Sequence, residues 1–443
     1  MKHLKNTTLF LLTYVVMMLL YQFPTSALAQ QIAVADTGEL TRILGTLAAD
    51  DMRGRASLSK DIEKAADFIA TEFKSIGLKP YAEENYRQTF YVNRHRPGKQ
   101  EITVGQQTIA SDHYLIMGTQ TTINWTEASK IKVLTIGKEE DFSERFRSLM
   151  RTDPDDAVVF VHPVHQPLLA RFKKIYAREN IMPKGQEKNI SPTKALIIAE
   201  AIADTYTIQA DNIVEEFPLF NVAAVLPGKT KPNEYVIFSA HYDHIGILPA
   251  VGQDSIANGA DDDASGTTAV IALAKYYKQL DKNERTLIFV AFTAEEIGMF
   301  GSKYFSNNIP ADDVVAMINI EMIGKDSKFG PNSLYITGYD NSNLGKLMQD
   351  NLKGSNFKFH PDPYPQQNLF YRSDNAVLAA LGVPAHTFST SQIDQDTFYH
   401  TVKDEVSTLK IENIKSSIEG IAIGATGIVD GTQTPTRVAK LKE

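Results

Sequence analysis

The chain has 443 residues, of which 43% are apolar and 22% charged, a composition that excludes disordered, collagenous and coiled-coil classes. Lys and Arg number 45 against 53 Asp and Glu, a net charge of -8 that has no general attraction for a phosphate backbone, so nucleic acid is not an expected partner. With no Cys there are no disulfides, thiol nucleophiles, Cys-ligated zinc sites or iron–sulfur clusters, and any metal must be held by His, Asp and Glu.

Lys2, His3 and Lys5 precede an apolar run from Leu9 to Leu20, and Ala27-Leu28-Ala29 follows Pro24. A basic start, a short apolar stretch and an Ala-x-Ala end read as a secretory signal peptide over residues 1–29. The run is shorter than the roughly 20 residues that span a bilayer. The expected mature protein is therefore exported, periplasmic or extracellular, with no stable membrane insertion once the signal is cleaved.

Residues 30–91 read as an N-terminal helical segment. Ile62, Ala65, Ala66, Ile69, Phe73 and Ile76 recur at the spacing of a buried helix face, with Asp61 as the expected cap and Gly77 as the stop. Residues 92–217 change character. Short runs such as Lys132–Ile136, Val158–Val161 and Ala195–Ile198 are separated by polar stretches, and the segment reads as an inserted β-rich module. His162 and His165 flank Pro163 with no helix to align them, which favours a turn over a metal pair. Asn124-Trp125-Thr126 and Asn189-Ile190-Ser191 match a glycosylation acceptor pattern that is frequent by chance.

From residue 218 to 443 the pattern is strand, loop, helix, repeated. Strands are expected at 221–226, 235–238, 287–292, 314–320 and 334–337, and helices at 264–280, 342–353, 374–381 and 409–424. Strands apolar on both faces alternating with helices indicate an α/β fold whose mixed, largely parallel central sheet is flanked by helices. In such sheets ligands bind beyond the strand C-termini. Tyr235–Phe238 runs into Ser239-Ala240-His241-Tyr242-Asp243-His244, Leu287–Phe292 ends in Thr293-Ala294-Glu295-Glu296, and Val314–Ile320 ends in Glu321. Gly259-Ala260-Asp261-Asp262-Asp263-Ala264-Ser265-Gly266 and Phe398-Tyr399-His400-Thr401 supply two further loops. Singly, each is a surface pair, a turn or a helix cap. Together they crowd carboxylates onto apolar strand ends, where a cation removes the repulsion and a His-plus-carboxylate donor set suits zinc.

In their order and wording, these motifs resemble the co-catalytic di-zinc exopeptidases, a family that includes secreted bacterial aminopeptidases and the glutamate carboxypeptidases and, more distantly, glutaminyl cyclases and the transferrin receptor. The resemblance covers about 218–430, and the segment Leu47–Arg55 resembles the stretch that precedes the catalytic core. It implies two Zn2+ held by His241, Asp261, Glu296, Glu321 and His400. Asp261 would be the bridge and Asp262 its neighbour through a cis peptide. Glu295 would be the general base, Asp243 would orient His241, and Tyr399 would steady the oxyanion. Two positions depart from the family pattern: Glu321 stands where Asp is usual, and Asn375 stands in the place of a His after Ser373-Asp374, leaving Asp374 to line the pocket or cap a helix.

The implied activity is removal of N-terminal residues from peptide substrates by metal-activated water. The same scaffold also serves a glutaminyl cyclase, a dipeptidase or carboxypeptidase, and a non-catalytic binding protein. The retained Glu295 and candidate ligands favour hydrolysis, while side-chain preference and oligomeric state are not encoded in any recognisable motif.

Overall fold

The computed structural model describes residues 34–177, 179–185 and 192–441. The signal-peptide reading of 1–29 and the acceptor pattern Asn189-Ile190-Ser191 lie outside the described residues. No helix among the described residues is long and apolar enough to cross a membrane.

The core sheet uses strands β1 (Arg87–Val104), β2 (Tyr206–Leu226), β3 (Lys231–His241), β4 (Arg285–Phe292), β5 (Val314–Ile320), β6 (Ser333–Ile336), β7 (Lys358–Pro361) and β8 (Ala385–Ser389). Their order across the sheet is β7-β6-β8-β5-β3-β4-β2-β1. The central strands β4, β3, β5 and β8 are mutually parallel. β2 pairs antiparallel with both β4 and β1, and β6 pairs antiparallel with β8. The register sets Ala240 beside Ala291 and Ile320 beside Phe388, so the C-terminal ends of four parallel strands open onto one edge.

Both faces of the sheet are covered. Val236, Phe238 and Ala240 of β3 point into one apolar layer with helices α1 (Thr37–Leu47), α2 (Asp61–Ile76), α3 (Gly266–Leu280), α5 (Leu344–Asn351) and α7 (Ile411–Gly424), whereas Ile237 points into the opposite layer with α4 (Phe300–Asn307) and α6 (Asn375–Ala380). Helix α2 buries Ile62, Ala65, Ala66, Ile69 and Phe73 and ends at Gly77, whose φ of 79° is the left-handed stop that favours glycine. Asp61 does not cap it. Lys60 occupies the cap position, and Ser59 Oγ accepts the Asp61 amide at 3.2 Å.

The inserted segment carries its own four-stranded sheet in the order Tyr114–Met117, Lys194–Ile198, Ala157–Val161, Lys132–Ile136, with helices at Phe142–Thr152 and Gln166–Tyr176. It is thus an α/β unit as well as β-rich. Strands β1 and β2 run without interruption from the core into this unit, so positions 92 and 217 fall inside continuous strands. His162 and His165 do not converge: Nδ1 of His162 accepts the Val164 amide at 3.2 Å, and Nε2 of His165 lies 2.9 Å from the Gly137 carbonyl.

Helix α3 is seated against the strand ends at Gly266. A side chain there would overlap the Ile320 carbonyl oxygen and the Asp263 carboxylate. Gly266→Ala is expected to lower unfolding free energy by about 1–3 kcal/mol, the usual range for overpacking, measured by urea titration against wild type.

Candidate metal centre

Each chemistry-bearing side chain stands at a strand end or in a loop that meets it. His241 is the last residue of β3, Glu321 follows β5, and Glu295 and Glu296 lie in the turn after β4, where Ala294 has φ 60°. The tight turn Ala260–Ser265 leads into α3 and contains the cis bond Asp262–Asp263. His400 comes from the loop before α7, stacked face to face on Tyr399 with ring centroids 3.9 Å apart.

Two donor clusters share one carboxylate. His241, Asp262 and Glu321 form the first, and His244, Asp262 and Glu296 the second, each with its donor atoms within 4.8 Å of one another. The two oxygens of Asp262 face opposite ways: Oδ1 lies 3.2 Å from His241 Nε2 and Oδ2 lies 3.2 Å from His400 Nε2. Glu296 approaches His400 Nε2 at 3.0 Å through Oε2 and His244 Nδ1 at 2.8 Å through Oε1. Donors about 2.0–2.2 Å from a tetrahedral zinc lie roughly 3.3–3.5 Å from one another, close to these separations. His241 Nδ1 sits 3.1 Å from the Asp243 carbonyl, which holds the N–H on Nδ1. That leaves the Nε2 lone pair free, and Nε2 of His241, like Nε2 of His244, is buried with no hydrogen-bond partner among the described residues. An orphaned ring nitrogen facing a shared carboxylate fits a divalent cation.

The structure moves one expected ligand by a single residue. Asp261 belongs to neither cluster. Its Oδ1 accepts the Gly324 amide at 2.7 Å, and its Oδ2 faces Lys325 Nζ at 3.5 Å. Asp262 takes the position between the two clusters, and its cis neighbour is Asp263 rather than Asp261. The cause is the backbone of the turn: the amides of Asp261 and Asp262 both point at the Asp404 carboxylate, at 3.0 and 3.0 Å, which sends the first side chain away from the strand ends and the second toward them. Asp263 ties the turn to its surroundings by accepting from the amides of Gly266, Met322 and His241 at 3.0, 3.2 and 3.3 Å.

Asp243 also acts differently from the expectation. Its carboxylate is 3.8 Å from His241 Nδ1, and it accepts instead from Ser57 Oγ at 2.7 Å and from the amides of Glu295 and Glu296 at 3.2 and 3.4 Å. The strand ends at His241, so the alternation that would place both side chains on one side stops there. Asp374 precedes α6 but makes no capping bond, and both its oxygens are buried without a hydrogen-bond partner among the described residues. Asn375 is structural: Nδ2 donates to the Phe370 and Ala385 carbonyls, and Oδ1 accepts from Thr387 Oγ1.

Sequence reasoning missed His244, Asp404 and Arg55. The second His of the His-Tyr-Asp-His motif was the visible signal for His244. Asp404 has none, because it acts on backbone amides. Arg55 is fully buried, and its guanidinium donates to the carbonyls of Tyr242, Leu47, Asn258 and Gly259 at 2.8, 2.5, 2.7 and 2.9 Å. One side chain thereby pins the loop after β3 to the turn that carries Asp262.

Residues 221–423 match the model of peptidase family M28. Over that stretch the chain is similar to peptidase family M28. It is 25% identical over 288 residues to leucine aminopeptidase 1 of Neurospora crassa, covering 62% of this chain and 68% of that one. It is 27% identical over 232 residues to leucine aminopeptidase 1 of Chaetomium globosum, where it covers 49% of this chain and 55% of the relative. The fold is similar to that of a zinc aminopeptidase from Bacillus subtilis, with a TM-score of 0.54 and 14% identity over 92% of this chain and 99% of that one.

At the candidate site the buried carboxylates set the electrostatics. Burial, reinforced by the Asp404 charge, pushes Asp261 up to about 7, and burial carries Asp374 to about 7 against the opposing pull of His241. Burial opposes protonation of His400, but hydrogen bonds to Asp262 and Glu296 raise its pKa to about 10. Burial, with the charges of Glu321, Asp374 and Glu296 nearby, holds Glu295 well above the ordinary carboxylate range.

All these raised groups contribute stability to metal-free protein below their unfolded pKa values and lose it as pH rises through the folded ones. The thermal midpoint of chelated protein is therefore expected to fall from about pH 4, where the window of Asp261 and Asp374 opens, to about pH 10, where that of His400 closes, with zinc restoring most of the loss. A second expectation separates the two aspartates. Asp262→Asn should weaken zinc affinity by more than about 100-fold in chelator competition, whereas Asp261→Asn, outside both clusters, should stay within about tenfold of wild type.

Proposed function

We propose that the protein is an exported aminopeptidase that removes N-terminal residues from peptides with two Zn2+. His241, Asp262 and Glu321 would hold one ion, and Asp262, Glu296 and His400 the other, with His244 at the second. The ions would polarise the scissile carbonyl and lower the pKa of a water toward neutrality. The observation that carries the reading is the single carboxylate of Asp262 offering one oxygen to each histidine, at 3.2 Å on both sides.

Glu295 lies on the wall of the cavity that Asp262, Glu321 and Tyr399 also line. In this reading it takes the proton from the attacking water as the C–O bond forms, and then passes it to the amine nitrogen as the oxyanion collapses and the C–N bond breaks. A carboxylate beside the nucleophile can hold the proton between the two steps. Asp243 fixes where Glu295 stands by accepting its backbone amide. The Tyr399 phenol, on the wall of the same cavity and held by its stack on His400, would supply a donor for the developing oxyanion. The apolar leader at 9–20, followed by Ala27-Leu28-Ala29, supports export.

Glu295→Gln should lower kcat by about 10²- to 10⁴-fold while zinc content stays at the wild-type stoichiometry, read by metal analysis beside peptide turnover. N-acetylated peptides should not be cleaved. Full activity after chelation, or ammonia release from a Gln-initiated peptide with no free amino acid, would remove the reading.

A further inference from the structure

The cavity that Glu295, Asp262 and Glu321 line is also lined by Tyr335, Thr337, Thr387, Ser389, Ser391 and Arg372. In an aminopeptidase a cavity beside the base is where the side chain of the released residue would go, and the wall of this one carries donors with no acceptor among the described residues. Ser391 is 3% exposed, and its Oγ has no hydrogen-bond partner among the described residues. Thr337 Oγ1 accepts the Thr387 amide at 3.1 Å, and no acceptor among the described residues takes its own proton. Arg372 is exposed at the cavity wall and forms no ion pair among the described residues. The neighbouring hydroxyls are already committed: Thr387 Oγ1 donates to Asn375 Oδ1 at 2.8 Å, and Ser389 Oγ donates to the Met322 carbonyl at 3.2 Å.

A guanidinium and two uncommitted hydroxyls complement a carboxylate, which only accepts. The proposed pair of dications would offset Asp262, Glu295, Glu296 and Glu321, and Arg372, exposed on the wall, pairs with no carboxylate among the described residues. Met322, Leu369 and Ile393 line the remainder of the wall and would take the methylenes of such a side chain. We propose, resting on the aminopeptidase reading, that this cavity selects an acidic residue, glutamate or aspartate, at the peptide N-terminus, with Arg372 as its carboxylate partner and Ser391 as a second donor. A site built from unpaired donors discriminates strongly against a side chain that leaves them unpaired.

The test compares kcat/KM for peptides X-Ala-Ala with X as Glu, Asp, Gln or Leu, on zinc-loaded wild type, Arg372→Met, Arg372→Lys and Ser391→Ala. Glu should exceed both Gln and Leu by about tenfold or more. Arg372→Met should lower the Glu-to-Leu ratio by about tenfold, Arg372→Lys should recover part of it, and Ser391→Ala should lower it less. Free L-glutamate should raise the thermal midpoint of the wild type more than L-leucine does, and Arg372→Met should remove that difference. Release of Leu in preference to Glu, with a ratio unmoved by Arg372→Met, overturns the acidic preference and leaves the aminopeptidase reading standing. Release of no N-terminal residue from any of the four peptides overturns both.

Discussion

Carboxylates converge at the C-terminal edge of β3, β4 and β5 more densely than a protein interior tolerates without countercharge. Asp243, Asp262, Asp263 and Asp374 are buried at that edge, with Glu295, Glu296 and Glu321 among them. Two like charges about 4 Å apart repel by roughly 4 kcal/mol at an effective dielectric constant near 20, and desolvation adds to each. The cations within the edge do not match this charge. Arg55 spends its donors on backbone carbonyls, and Lys325 pairs with Asp261 and Asp396. The imidazoles of His241 and His244 keep a ring nitrogen bare. Two divalent ions would offset much of this charge, which is the physical basis of the proposed zinc pair.

The geometry that would receive those ions is set by side chains that bind backbone. Asp404 gathers the amides of Asp261 and Asp262, Asp243 gathers those of Glu295 and Glu296, Asp263 gathers three more, and Arg55 holds four carbonyls. Fixing the peptide groups fixes where each Cβ points, and so which carboxylate meets which histidine. Gly266 completes the arrangement, since only a residue without a side chain lets α3 begin against β5.

In the proposed reading, reaction and recognition share one cavity at this edge. Glu295, Tyr399, Asp262 and Glu321 share the wall of one cavity with Arg372, Thr337 and Ser391. The inserted α/β unit stands on the continuous strands β1 and β2, which pair with the core through β4 at the far side of the sheet from β8.

Periodicity and motif order were enough to read the α/β class, the strands at 287–292 and 314–320, the helix face from Ile62 to Phe73 and the loops bearing His241, Glu295, Glu296, Glu321 and His400, because these follow from local hydrophobic spacing and from residue types that seldom gather without a ligand. Which of three consecutive aspartates faces the histidines was not legible, since adjacent identical side chains differ only in the dihedrals of a turn, and Asp404, 142 residues beyond Asp262, sets those. The same holds for His244, Asp243 and Arg55, whose partners are peptide groups or side chains far along the chain. Local sequence determines the elements and the donors. Only the packed sheet decides their pairing, because a ligand site is a set of distances between atoms that the chain brings together last.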